Sequence, residues 1–368
     1  MRREVRGRTK RGLVVGLLVV ALGVAIAQER PAPFAEDPLA ISAAFGVEMA
    51  VVRLVAAAEL IAAGIEGDDV EDALDALEVE GMRYAWALAR TDAALAAELD
   101  EALEATGQAD DPADPIDVAL PLAQRARDAL VADRNSDPAF AAAMGVLLLT
   151  SATGVAEGFE GGVEGEAGAY AMGWAALQRV KAYWSTLEPD ANDEQRFEVD
   201  DQLAELEALF PRPVPPDGLE RFDPEEAEGP AYRIAGYVED VSGALVFPDR
   251  DLARLYAATR DVARDGCAAY GAGDRLRGDA HLAWTAFSFD EYLTDTLSLF
   301  APETMAVVSE ALLALVPREV EEEGPDADRD DATGDDAMAA ERPGPNEVSD
   351  ACAALLEALD EAGAALGV

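Results

Sequence analysis

Histidine occurs once in this chain, cysteine twice and tryptophan four times, and only 6% of the residues are aromatic. Each scarcity removes a class of chemistry. With His281 alone, no multi-histidine metal cluster can be built. A His/Asp/Ser arrangement would need a nucleophile elbow, and no G-x-S-x-G supplies one. A lone histidine beside Trp284 and Phe287 reads as a packing residue. Lysine is found only at positions 10 and 181, and 28 bases face 74 acids, for a net charge of −46. No basic aromatic patch and no phosphate-cradling glycine loop followed by a base is present, which argues against a nucleic-acid partner. Alternating β-branched runs are missing as well, so sheets are not expected.

What bases there are crowd at the start. Arg2, Arg3, Arg6, Arg8, Lys10 and Arg11 stand against Glu4, then an uncharged run reaches Ile26 and ends in Ala25-Ile26-Ala27. A basic segment, a short apolar run and an A-x-A site form a secretory signal, with cleavage after Ala27 and an extracytoplasmic (periplasmic or secreted) mature chain beginning at Gln28. The run is shorter than the roughly 20 residues a membrane-spanning helix needs. Removing the signal takes away six bases and one acid, leaving 22 against 73 and a net charge of −51. Such a field repels anions and attracts cations or basic protein surfaces.

The rest reads as all-α and bundle-like, in one or two layers. Alanine-rich composition favours tightly packed helices. Asp37-Pro38, Asp114-Pro115, Asp137-Pro138 and Asp223-Pro224 each put a capping acid before a proline suited to the first helical position. The first helix, about 38–63, is apolar on most faces and marks a central core element; Glu48, Arg53 and Glu59 interrupt it and make it a poor membrane span. No transmembrane span is expected in the mature chain. Further helices are expected at 70–90, 92–105, 115–132, 138–161, 164–187 and 193–210, then at 224–246, 249–269, 280–300 and 302–316. The proline-rich stretch 211–223 suggests a stiff linker between an N-terminal domain, 28–210, and a C-terminal one, 224–318. An acidic segment, 319–345, lacks large apolar groups and is expected to be disordered before a terminal helix within 346–368.

Cys267 and Cys352 are an even pair in an oxidising compartment, which argues for a disulfide tying the terminal helix down. The segment Gly154 to Gly168 reads GVAEGFEGGVEGEAG. On one continuous helix, Gly154, Gly158, Gly161, Gly165 and Gly168 share a narrow arc, with Glu157, Glu160 and Glu164 beside them. A glycine face admits close approach of another helix, and three neighbouring carboxylates are candidate ligands for a hard divalent cation. The alternative is a turn at Gly161-Gly162 with the glutamates in water.

Glu157-Gly158-Phe159-Glu160 resembles the core of the Arg-Glu-Gly-x-Glu motif of high-affinity iron permeases, a likeness of four residues that would imply iron as the cation. Ala156 stands where that motif has arginine, and the family's motif belongs to a membrane helix, so the chain is not assigned to it. Trp174, Tyr183 and Trp184 recur at helical spacing and suit either a core or the aromatic wall of a carboxylate-dependent hydrolase. With no catalytic motif, the expectation is a non-enzymatic binding or interaction protein. Behind it stand a carboxylate-based divalent-metal-binding protein serving cation uptake and, third, the hydrolase.

Overall fold

The computed structural model describes residues 38–109, 111–132, 134, 136–243, 252–316 and 345–367. The expected signal sequence and almost all of the acidic segment 319–345 lie outside the described residues. Among them there are fifteen α-helices and no strand. They are α1 (Pro38–Ala62), α2 (Asp68–Leu74), α3 (Leu77–Thr91), α4 (Ala93–Gly107), α5 (Ala113–Val131), α6 (Pro138–Thr150), α7 (Val155–Glu164) and α8 (Ala167–Leu187). Then follow α9 (Asp193–Leu209), α10 (Glu228–Ser242), α11 (Leu252–Gly271), α12 (Arg275–Ser288), α13 (Thr294–Phe300), α14 (Pro302–Leu313) and α15 (Pro345–Leu366). The fold is an all-α helical bundle, and the described residues form one compact unit.

The caps explain several of the starts. Asp137 accepts the Ala139 amide ahead of Pro138, and Asp223 accepts the Glu225 amide ahead of Pro224. Asp114 does not cap: α5 begins one residue earlier, and Asp111 accepts the Ala113 amide instead. Asn192 and Gln195 form a reciprocal capping box that starts α9, each side chain taking the other's orphan backbone N–H.

The apolar α1 runs through the middle of the first core and packs on α2, α3, α5, α8 and α12. α6 is buried from Phe140 to Leu149, as its nearly uniform apolarity requires. A second core gathers α11, the inner face of α12, α13, α14 and α15. α12 serves both, because Trp284 and Phe287 enter the first core while Leu282, Ala283 and Ala286 enter the second.

The expected domain break at 211–223 falls inside the first core. After the prolines come two 3₁₀ turns, Leu219–Arg221 and Pro224–Ala227, which lie against α7. Leu219, Ala227, Ala231 and Ile234 are buried with the helices that precede them. Proline stiffness sets the path of the segment, and the apolar faces on either side decide that it returns to the same core. The change of core comes later, beyond α10.

Candidate functional site

The glycine-rich segment forms a helix at Gly161-Gly162, and the turn falls after it. α7 is capped at Gly165, whose φ of 110° is left-handed, and the Glu166 amide closes back onto the Gly161 carbonyl. The segment Gly154 to Gly168 is therefore neither one continuous helix nor broken at Gly161-Gly162, but the meeting of two helices folded onto one another. Gly158 sits at their crossing. A Cβ there would lie 2.7 Å from the Gly173 Cα and 2.8 Å from the Ala169 carbonyl oxygen. Close approach is thus the purpose of the stripe, with α8 as its partner. Gly168 belongs to α8 and faces α2, where a Cβ would come within 2.6 Å of the Asp69 carbonyl oxygen.

That packing disposes of the candidate metal ligands. Since the glycine face is turned inward, Glu157 and Glu164 are exposed and Glu160 is half-buried along the outer side of α7. Among the described residues no group of three or more His, Cys, Asp or Glu side chains is placed to hold a metal ion. The candidate ligands Glu157, Glu160 and Glu164 all lie on α7, ahead of the αL residue Gly165 that ends it.

The charges that interrupt α1 have structural partners. Glu48 is fully buried; one carboxylate oxygen accepts from Arg179 Nε, and the other accepts from the Tyr183 hydroxyl at 2.8 Å. Burial, the Glu48 charge and their hydrogen bond push the Tyr183 phenol well above its ordinary range. Burial works to lower the Arg179 pKa, yet the Glu48 charge and hydrogen bonding prevail and raise it. Arg53, also buried, donates to Met172 Sδ at 3.4 Å and to the Ala73 carbonyl at 3.5 Å. Asp75 is raised by burial, against the opposing pull of Arg53. Both Glu48 oxygens are engaged, and the cluster clamps α1 to α8.

Two stretches, Leu39–Ala62 and Pro138–Glu164, are long and apolar enough to cross a membrane, but 83% and 78% of their most apolar 18-residue windows is buried within the protein. Their apolarity is used in the core. Tyr183 and Trp184 also pack there: Tyr183 stands edge-on to Phe140, and the Trp184 indole donates to Asp200 at 3.2 Å. His281 is buried on α12, its Nδ1 2.7 Å from the Arg277 carbonyl oxygen, and burial lowers its pKa.

Cys267 of α11 and Cys352 of α15 are joined in a disulfide, with Cα atoms 5.7 Å apart. The same pair of helices is tied by the Tyr256 hydroxyl, which donates to the Leu359 carbonyl.

The surface offers one feature that sequence reading missed. Leu299, Val307 and Leu313, on the adjoining α13 and α14, are 80%, 45% and 50% exposed. On α14, Glu303, Ala306, Val307, Glu310 and Leu313 share the outward arc, opposite the buried Val308, Ala311 and Leu312. The signal in the sequence was a helix with apolar residues on both faces, which periodicity alone does not sort. Comparison of the chain with protein-family models, with curated proteins and with solved structures finds no match.

Proposed function

We propose that the mature chain, beginning at Gln28, is an exported, non-enzymatic interaction protein that docks a basic, apolar partner surface on α13 and α14. The observation that carries this reading is the exposure of Leu299, Val307 and Leu313 on neighbouring helices of a strongly acidic protein. Single exposed apolar residues are ordinary, but a contiguous group marks a contact surface, and α13 and α14 follow one another in the chain. Glu303 and Glu310 lie in the same arc of α14, so the patch combines apolar contact with negative charge. A partner with a cationic, amphipathic face complements both. Export is supported by the leading basic and apolar segments and is compatible with the Cys267–Cys352 disulfide.

Two measurements test the proposal. The intact mass of exported protein should correspond to a chain starting at Gln28; retention of residues 1–27 would refute cleavage. For docking, calorimetry with a synthetic Lys/Leu amphipathic helix should be run in about 0.5 M salt, where screening is confined to roughly 4 Å. The variant Leu299→Gln/Val307→Gln/Leu313→Gln keeps every charge and should bind about tenfold more weakly or worse. Equal binding by the variant would leave only the general field of the protein, and the assignment to α13 and α14 would fail.

A further inference from the structure

The helix α15 lies on α14 and α11, with a smaller contact to α13. It sets Leu355, Ala358, Leu359 and Ala362 into the second core, which also takes Leu255 and Tyr256 of α11 and Val308, Ala311 and Leu312 of α14. The fit to α11 is close: a Cβ on Gly363 would lie 2.8 Å from Tyr256 Cε1. Cys352 comes about 36 positions after Val316, the residue of the second core that precedes α15 in the chain.

The polar contacts that hold α15 are modest, and its charge works against docking. The Tyr256 hydroxyl donates to the Leu359 carbonyl, and Arg260 Nη1 stands 3.8 Å from Asp360 Oδ1. With the Asp360 side chain 66% exposed, solvent screens that ion pair and leaves it little weight. The helix carries Glu347, Asp350, Glu357, Asp360 and Glu361 and no base, in a chain whose net charge is −46. Like charges of this density repel one another and favour separation.

The Cys267–Cys352 bond is the strong tie. When α15 alone comes off, Cys267 and Val316 stay in the folded part, so the bond closes a loop of about 36 residues and not the whole 85 between the cysteines. In the chain-entropy account, losing that closure shifts the equilibrium toward release about 500-fold. The two sulfurs differ in access. Cys352 is buried against the second core, while Cys267 is only partly buried. Access decides which sulfur an external thiolate attacks.

We propose that α15 is a redox-released strap: a dithiol reductant opens the Cys267–Cys352 bond, and α15 then leaves α11 and α14. One thiolate of the dithiol attacks Cys267 Sγ, forming a mixed disulfide as the S–S bond breaks and Cys352 departs as a thiolate. The second thiolate attacks the reductant's own sulfur in that mixed disulfide, closing the reductant to its disulfide and releasing Cys267. Two electrons pass from the dithiol to the protein, and the two protons the dithiol sheds are matched by those the two cysteines take up. Release uncovers Val308, Ala311 and Leu312, so α14 becomes apolar on the face opposite Val307 and Leu313 as well. The strap does not rest on the docking role given to α13 and α14, and its test reads α15 alone.

The test is hydrogen–deuterium exchange of the full mature protein, read by mass spectrometry with and without excess dithiothreitol. Alkylation with iodoacetamide and intact mass report the state of both thiols. On reduction the α15 amides should exchange about 500-fold faster, while those of α1 and α8 keep their protection. Cys267→Ser/Cys352→Ser should show the fast α15 exchange without any reductant and no further response to it. If that variant does not fold, the reduced wild type carries the test by itself. Unchanged α15 protection with both thiols reduced overturns the proposal, because the helix then stays docked without the bond. Equal loss of protection in α1 and α8 also overturns it, since the bond would then brace the whole fold. Failure of dithiothreitol to reduce the bond in the folded protein overturns it as well.

Discussion

The crossing of α7 and α8 allows a sharp prediction at Gly158. Replacing it with alanine puts a methyl carbon 2.7 Å from the Gly173 Cα, 2.8 Å from the Gly173 nitrogen and 2.8 Å from the Ala169 carbonyl oxygen. All three are backbone atoms of one helix, so no side chain can rotate away. Ordinary contact begins near 3.4 Å, and the helices must part by about 0.7 Å. That loosens the aromatic packing beneath them, where Phe159 and Tyr170 meet Phe210 with centroids 5.7 Å and 4.9 Å away. Overpacking of this kind costs up to about 3 kcal/mol, and the better helix propensity of alanine returns about 1. A net loss of about 2 kcal/mol is expected. Gly145 is the contrast: it is buried in α6, yet nothing lies within 4 Å of its ideal Cβ. Gly145→Ala should gain about 1 kcal/mol from propensity alone. Urea unfolding followed by far-ultraviolet circular dichroism should order the midpoints Gly145→Ala, wild type, Gly158→Ala. A Gly158→Ala midpoint at or above wild type would refute the crossing, and a Gly145→Ala midpoint that falls as far would refute the reasoning from space.

The remaining predictions concern the disulfide and the buried titrating groups. Cys267 and Cys352 are 85 residues apart, so reduction, or Cys267→Ser/Cys352→Ser, should cost about 4–5 kcal/mol in the chain-entropy account; an unchanged urea midpoint after reduction would contradict it. Burial raises Tyr84 strongly, takes Tyr170 and Tyr256 up to about 12, and lifts Tyr183 well above 10. The native state then keeps protons that the unfolded chain gives up, so stability present below pH 10 should fall as pH rises toward 12 and beyond. Phenolate absorbance should appear together with loss of helicity; phenolates of these residues forming near pH 10 in a folded protein would count against the burial. His281 is lowered by burial, so the folded state binds fewer protons than the unfolded chain below pH 6.5, and the contribution present above that value fades on acidification. Proton NMR of this single imidazole should titrate below 6.5, and a midpoint at or above that value would disprove its burial.

The sequence by itself determined that this chain is helical, where most of its helices begin, and that its two cysteines pair. These are properties of local pattern: alanine-rich amphipathic periods, Asp-Pro starts, and an even cysteine count. The glycine spacing around Gly158 was also legible as a place of close approach. Its partner was not, because the αL turn at Gly165 that folds α8 back onto α7 depends on one residue's φ among five glycines. With that turn formed, Gly158 and Gly161 face α8, and Glu157 and Glu164 lie exposed on the outer side of α7. Likewise Glu48 and Arg53 read as interruptions of an apolar helix, and only packing shows Arg179 and Tyr183, more than 130 residues away, closing on Glu48. The proline-rich segment 211–216 looked like a domain boundary, but the buried faces of Leu219, Ala231 and Ile234 rejoin the first core. Arg83 had no signal at all. Its place between Phe45 and Phe287 comes from three helices distant in sequence, and distant contacts are decided by which faces bury together, a quantity that a local period does not contain.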